Sequence, residues 1–154
     1  MARELGVVTR GSCAIEPLVI AAGPTCARVS GEVEVESGLD EAAARAAMDG
    51  DTCRTWNAGT TGPVSLGVDF GAPKRVSAVL LMSRDGGAAT HTIEASDDGT
   101  TYRQLIVVTG ELAAGQPYAI YLPEEVTTTH LRVRTTKSSS PVTWREIVPL
   151  TCPG

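Results

Sequence analysis

Val64-Ser65-Leu66-Gly67-Val68-Asp69-Phe70 is followed, after Gly71-Ala72-Pro73, by Arg75-Val76-Ser77-Ala78-Val79-Leu80-Leu81-Met82. Each stretch has strand length, is rich in β-branched and large apolar residues, and ends in turn residues. The second is an almost unbroken apolar run that stops at Asp85-Gly86-Gly87. Downstream, Thr90–Ser96 alternates in hydrophobicity and Asp97-Asp98-Gly99 supplies a hairpin turn. Tyr102–Val108, Tyr118–Leu122, His130–Thr136 and Val142–Val148 continue the series, and upstream Glu32-Val33-Glu34-Val35-Glu36 alternates strictly. These are eight strands at spacings of roughly 8–15 residues with no βαβ rhythm, which predicts an all-β, eight-stranded antiparallel sandwich. One short helix is expected over Glu41–Met48, capped by Asp40. Residues 1–29, punctuated by Gly11, Pro17, Gly23 and Pro24, read as an irregular lead-in packed on a single domain spanning 30–154. No internal repeat interrupts that domain, and Ser138-Ser139-Ser140-Pro141 reads as a loop.

The chain has 154 residues, 42% hydrophobic and 20% charged, which fits one globular domain. Its net charge of −5, without a basic block, disfavours nucleic acid and anionic membrane as partners. The longest apolar run, Pro17–Ala22, falls far short of the ~18 residues of a membrane helix. Met1-Ala-Arg-Glu leads into no apolar stretch of signal-peptide type, so the chain reads as a piece whose targeting segment lies elsewhere. Cys13, Cys26, Cys53 and Cys152 contain no C-x-x-C pair. An even number without metal-binding spacing suits two disulfides in an exported protein; four buried thiols in a reducing compartment is the other reading.

Catalytic patterns do not emerge. The two histidines, His91 and His130, sit in no metal-protease motif and read as satisfied structural residues. No nucleophile elbow or phosphate-cradling glycine loop occurs. Glu124 and Glu125 are adjacent, so on a strand their side chains diverge.

Several landmarks, in order, resemble the coagulation-factor type C (discoidin) domain, a galactose-binding-like fold shared with family 32 carbohydrate-binding modules. They are Ala47-Met48-Asp49-Gly50-Asp51 with Trp56, then Val68–Pro73, then Ile93–Gly99 with Tyr102. Leu131-Arg132-Val133 and Trp144-Arg145-Glu146-Ile147 complete the set. The resemblance implies an eight-stranded jelly-roll sandwich that binds ligands through loops and performs no chemistry. It also implies one structural Ca²⁺ held by Asp49, Asp51 and Glu146, with carbonyl oxygens near Ala46 and Arg54. Arg54 stands where the family usually has a coordinating threonine, so only its carbonyl is available and its guanidinium is expected to point away. The alternative is a metal-free loop in which Asp49 caps the turn and Glu146 pairs with Arg54 or accepts backbone N–H bonds. Relatives often bridge their chain ends, which implies Cys13–Cys152 and, by remainder, Cys26–Cys53.

The galactose-binding relatives use a histidine, an aromatic residue, an arginine and an asparagine. The corresponding positions here are Asn57, Thr60, Arg84 and, near the last, Thr90. Asn57 and Arg84 are therefore the candidate ligand residues. Trp56, Trp144, Phe70 and Tyr102 are expected in the core, leaving Tyr118 and Tyr121 as exposed candidates. The glutamates at 32, 34 and 36, and Arg132 with Arg134, read as two separate solvated faces. The resemblance implies a non-catalytic glycan-binding module of a secreted or cell-surface multidomain protein, with glycan or glycoprotein as partner. A protein–protein adhesion domain is the alternative. Phospholipid is disfavoured, because the loops carry Asn57-Ala58-Gly59-Thr60-Thr61 and Asp85-Gly86-Gly87 rather than apolar spikes.

Overall fold

A computed structural model of the chain describes residues 2–5, 13–36 and 39–153. The elements are β1 (Ala2–Glu4), α1 (Glu16–Ala22), β2 (Ala27–Arg28), β3 (Glu32–Val35), α2 (Glu41–Ala44), β4 (Trp56–Asn57), β5 (Val64–Ser83), β6 (Gly87–Ser96), β7 (Arg103–Leu112), β8 (Pro117–Ser138) and β9 (Thr143–Thr151). Every pairing is antiparallel, in the order β2-β9-β5-β8-β6-β7, with β1 on β8, β3 on β5 and β4 on β9. Two pairs of strands expected separately are each one long strand, β5 and β8. Val64–Asp69 of β5 lies between β3 and residues 130–135 of β8, whereas Ala78–Met82 lies between β9 and residues 117–121. Register breaks after Asp69 and after Val76 turn β5 from one layer into the other.

The unbroken apolar run has a simple cause: its strand is buried on both faces. Val79 and Leu81 point into the inter-layer core with Leu66, Val68, Ile93, Ile120, Leu131, Ile147, Trp56 and Trp144. Ala78 and Leu80 point the other way, with Ala119, Val148 and Leu150, onto Leu5, Ile15, Leu18, Val19 and Ala22. Residues 1–29 are thus not an irregular lead-in where described, and the expectation of a single helix is corrected. Pro17 sits in the first turn of α1, where a missing N–H costs nothing, and Gly23 closes it. Each fully buried Leu or Val side chain contributes about 1.5–3 kcal/mol, so this helix belongs to the folding unit. The expected helix over 41–48 is α2 followed by a 3-10 turn over Arg45–Ala47, and Asp40 Oδ1 does accept from Ala43 N at 3.2 Å.

The disulfides correct the family-derived pairing of Cys13–Cys152 and Cys26–Cys53. The bridges are Cys13–Cys53 and Cys26–Cys152, with Cα–Cα distances of 5.3 and 4.0 Å. Local pairing dictates this. Thr52 N donates to Cys13 O at 2.8 Å, and Ala14 bridges Asp51, so Cys13 runs beside the loop that carries Cys53. Ala27 pairs with Thr151, which puts Cys26 against Cys152.

One reading of face also changes. Trp144 and Glu146, two residues apart, do not share a side of β9 as a regular strand would place them, because the register breaks between them; Trp144 joins the inter-layer core while Glu146 pairs with Met82. Glu34, Gly67, Arg132 and Glu94 are direct cross-strand partners, so the glutamates of β3 and the arginines of β8 form one mixed-charge outer face.

Candidate functional site

The loops that follow β4, β5, β7 and β8 meet at one end of the sandwich and are laced together by backbone bonds. Ala58 N donates to Val142 O at 2.9 Å, Val142 N to Thr60 O at 2.8 Å, Gly115 N to Ser83 O at 2.8 Å and Ser139 N to Ala88 O at 2.9 Å. Gly86 has φ 68°, and a Cβ there would stand 2.5 Å from Leu112 O, so only glycine lets the turn after β5 close against its neighbour.

Asn57 and Arg84 are brought together at this end through Thr143. Asn57 is the register partner of Thr143, and Asp85 N donates to Thr143 Oγ1 at 3.1 Å. Asn57 is exposed, with its Oδ1 accepting from Gly59 N at 2.8 Å. The Arg84 guanidinium grips its own neighbour: Nε donates to Asp85 Oδ1 at 2.8 Å and Nη2 to Oδ2 at 3.0 Å. That pairing holds Asp85 below the ordinary carboxylate range and raises Arg84 further, so both are charged across the useful pH range. Arg84 therefore offers an oriented cation–anion pair rather than a lone guanidinium. Thr60 spends its hydroxyl on Gly62 N at 3.2 Å. Thr90 borders an open groove beside the loops, lined with Ala88, Ala89, Thr109, Gly110 and Lys137.

Trp56 and Trp144 are buried, as expected, and support the site from beneath. His91 packs 4.9 Å from the Trp144 ring and shares a 2.8 Å hydrogen bond with Thr135 Oγ1. Burial pushes its imidazole down to about 4, so it is neutral. Tyr118 and Tyr121 are half-buried, not free platforms. Tyr118 Oη accepts from Ala113 N at 2.8 Å, and Tyr121 Oη donates to Ala22 O at 2.6 Å, fastening α1 to the sheet. Among the described residues the only exposed large hydrophobic side chains are Ile20 and Val107. Tyr102, expected in the core, instead stands half-buried on the outer face, with Arg132 3.7 Å from its ring centre, beside an open cavity.

The loop from Asp49 to Arg54 is built from internal bonds. Asp49 Oδ1 accepts from Asp51 N and Asp51 Oδ1 from Cys53 N, both at 2.9 Å. Arg54 does not point away; its Nη1 pairs with Asp49 Oδ2 at 3.0 Å. Glu146 is fully buried, and its carboxyl group faces the Asp49 carboxylate and the Gly50 N–H, neither at full hydrogen-bond geometry. Burial, reinforced by the adjacent Asp49 carboxylate, pushes its carboxyl up to about 9. Two facing carboxyl groups, one of them buried, either share the proton that Glu146 retains or, with that proton displaced, offer oxygen ligands to a hard dication. Asp51 does not join them: its carboxylate groups instead with the bridged Cys13 and Cys53.

An antiparallel sandwich with two strands shared between its layers and its loops gathered at one end is the discoidin type of β-sandwich. The sequence model of the F5/8 type C domain matches residues 30–148, and the chain belongs to that family. Solved structures share the fold. CpGH89CBM32-6, produced by Clostridium perfringens, aligns with TM-score 0.64 and 24% identity over 77% of this chain and 92% of its own. CBM32-1 from a family 31 glycoside hydrolase of the same organism aligns with TM-score 0.69 and 17% identity over 83% and 99%. A chitosan-binding module from a Paenibacillus sp. IK-5 chitosanase/glucanase gives 0.65 and 20% over 80% and 98%. No curated protein matches the chain.

Proposed function

We propose that this domain is a non-catalytic carbohydrate-binding module of a secreted or cell-surface protein, recognising a glycan through the loops around Asn57, Arg84 and Thr143. The observation that carries the reading is the convergence of Asn57 and the Arg84–Asp85 pair on Thr143 at the loop end of the sandwich. A planar guanidinium locked beside a carboxylate presents donors and an acceptor at fixed spacing, which suits vicinal hydroxyls. Structural relatives are complexes with 4,5-unsaturated mannuronic acid and with GalNAc-beta-1,3-galactose, which supports a sugar as the ligand class. Asn57 and Thr60, in place of a histidine and a stacking aromatic, argue against a galactose-type site. The two disulfides support an extracellular location. A screen of immobilised glycans, followed by Arg84→Ala, tests the proposal. Thr60, where a stacking aromatic would stand, favours one other reading, a protein-adhesion surface on the same loops; capture of a protein partner with no glycan bound would select it.

The Asp49 and Glu146 carboxyl groups, side by side, support the reading of one structural Ca²⁺ held by them, with carbonyl oxygens near Ala46 and Arg54. Such an ion stabilises the native state by mass action. Ca²⁺ is expected to raise Tm, chelator to lower it, and Glu146→Gln to abolish the difference. A melt indifferent to both additions contradicts the ion.

A further inference from the structure

The outer face formed by β3, β5 and β8 carries a cluster that the loop site does not use. Glu34, Asp69 and His130 stand on three neighbouring strands, and one ligating atom from each lies within 4.8 Å of the others. We propose that these three side chains bind a divalent first-row transition-metal ion of the Zn²⁺ kind, separate from the Asp49–Glu146 pocket.

Geometry and charge both support it. His130 Nδ1 and Glu34 Oε1 are 2.9 Å apart. Tetrahedral ligand atoms about 2.1 Å from a metal are separated by about 3.4 Å, so exchanging the hydrogen-bonding proton for an ion requires this pair to open by about 0.5 Å. Asp69 is oriented by Gly71 N, which donates to its Oδ1 at 2.8 Å. The imidazole is held from the other side by the turn at Gly99, where a Cβ would come within 2.9 Å of the ring. Thr128 Oγ1 lies 2.8 Å from Ser96 O and 3.0 Å from His130 O, and its one hydroxyl hydrogen is shared between the two carbonyls beneath the ring.

Among the described residues no arginine or lysine forms an ion pair with Glu32, Glu34 or Asp69. Glu32 and Asp69 are direct cross-strand partners, a like-charge arrangement that destabilises a sheet. Arg132, which borders the same cavity as Glu34, is committed elsewhere: its Nε donates to Glu94 Oε1 at 2.6 Å, and its guanidinium lies 3.7 Å from the Tyr102 ring centre. A dication would relieve the repulsion between Glu32, Glu34 and Asp69. A cavity of about 170 Å³ bordered by Glu34, Gly67, Gly99, Tyr102 and Arg132 opens beside the cluster and leaves room for water ligands. One imidazole with two carboxylates suits Zn²⁺ and its neighbours better than Ca²⁺, which takes oxygen alone. The cysteines are bridged and offer no competing thiolates, and the other histidine, His91, is buried on the opposite side of the sheet plane among core residues.

Isothermal titration of chelator-stripped protein with ZnCl₂, in buffer containing excess CaCl₂, tests the proposal. One Zn²⁺ per chain is expected. Glu34→Gln and Asp69→Asn should each weaken binding by ~10-fold or more, the low end of what losing even an outer-shell partner costs a metal site. Both variants lie on the solvent face, and a circular-dichroism melt without metal verifies that they fold. His130→Gln should abolish binding. No heat at ~1 mM ZnCl₂ in the intact protein, or unchanged affinity in the carboxylate variants, overturns the site.

Discussion

As pH falls, His91 should work against the fold, in opposition to Glu146, whose raised carboxyl pKa favours the native state on acidification. His91 lies among buried residues against Trp144, with its charged form excluded by burial. Its pKa falls from the ordinary 6.5 to about 4 in the folded chain. A depressed folded-state value means that below pH 6.5 the unfolded chain binds a proton the native state refuses. The stability is therefore whole above pH 6.5 and declines as pH falls toward 4. Over that window the loss is about 2.5 pH units at 1.36 kcal/mol each, or about 3 kcal/mol, a large share of a small domain's stability. Other groups titrate over the same range, so the measurement is a difference. Urea unfolding of the intact protein and of His91→Gln, at steps from pH 7 to pH 4, should show the gap between them shifting by about 3 kcal/mol in favour of the variant. The imidazole of His91, followed by NMR in the native protein, should stay neutral at pH 5. A constant gap, or native-state titration near 6.5, refutes the reasoning.

Peptide mapping without reduction should recover Cys13–Cys53 and Cys26–Cys152. In the chain-entropy picture the second bridge, which spans 126 residues, is worth about 5 kcal/mol and the first about 4, so replacing Cys26 and Cys152 by alanine should be the costlier change. Leu18→Ala, which empties the contact of α1 with the outer face of the second layer, should cost about 2–5 kcal/mol in chemical denaturation; a loss below ~0.5 kcal/mol would mean that the helix is not docked.

The strand series was legible because alternation and turn residues are local signals. The double burial of β5 could be suspected from its unbroken apolar run, but what covers its second face could not. Helix α1 was hidden because Pro17 and Gly23 look like breaks when they are its first turn and its cap. The bridges depend on which segments lie side by side, a tertiary property absent from cysteine spacing. The period-2 rule would put Trp144 and Glu146 on one face, and it fails at the register break between them. Asn57 and Arg84 were nameable through resemblance, whereas the carboxylate that Arg84 holds was its immediate neighbour and went unremarked. Glu34, Asp69 and His130 are scattered along the chain, and only strand register unites them.

The central claim is tested most directly by titrating isotopically labelled protein with glycans selected from the screen and following backbone amides by NMR. The account predicts weak binding, in the range of ~0.1–10 mM, for a site without a stacking ring. It predicts shifts confined to residues 57–61, 84–87 and 139–143, absent in an Arg84→Ala variant that is otherwise folded. Shifts on the β3–β5–β8 face instead, or none with any glycan, would contradict it.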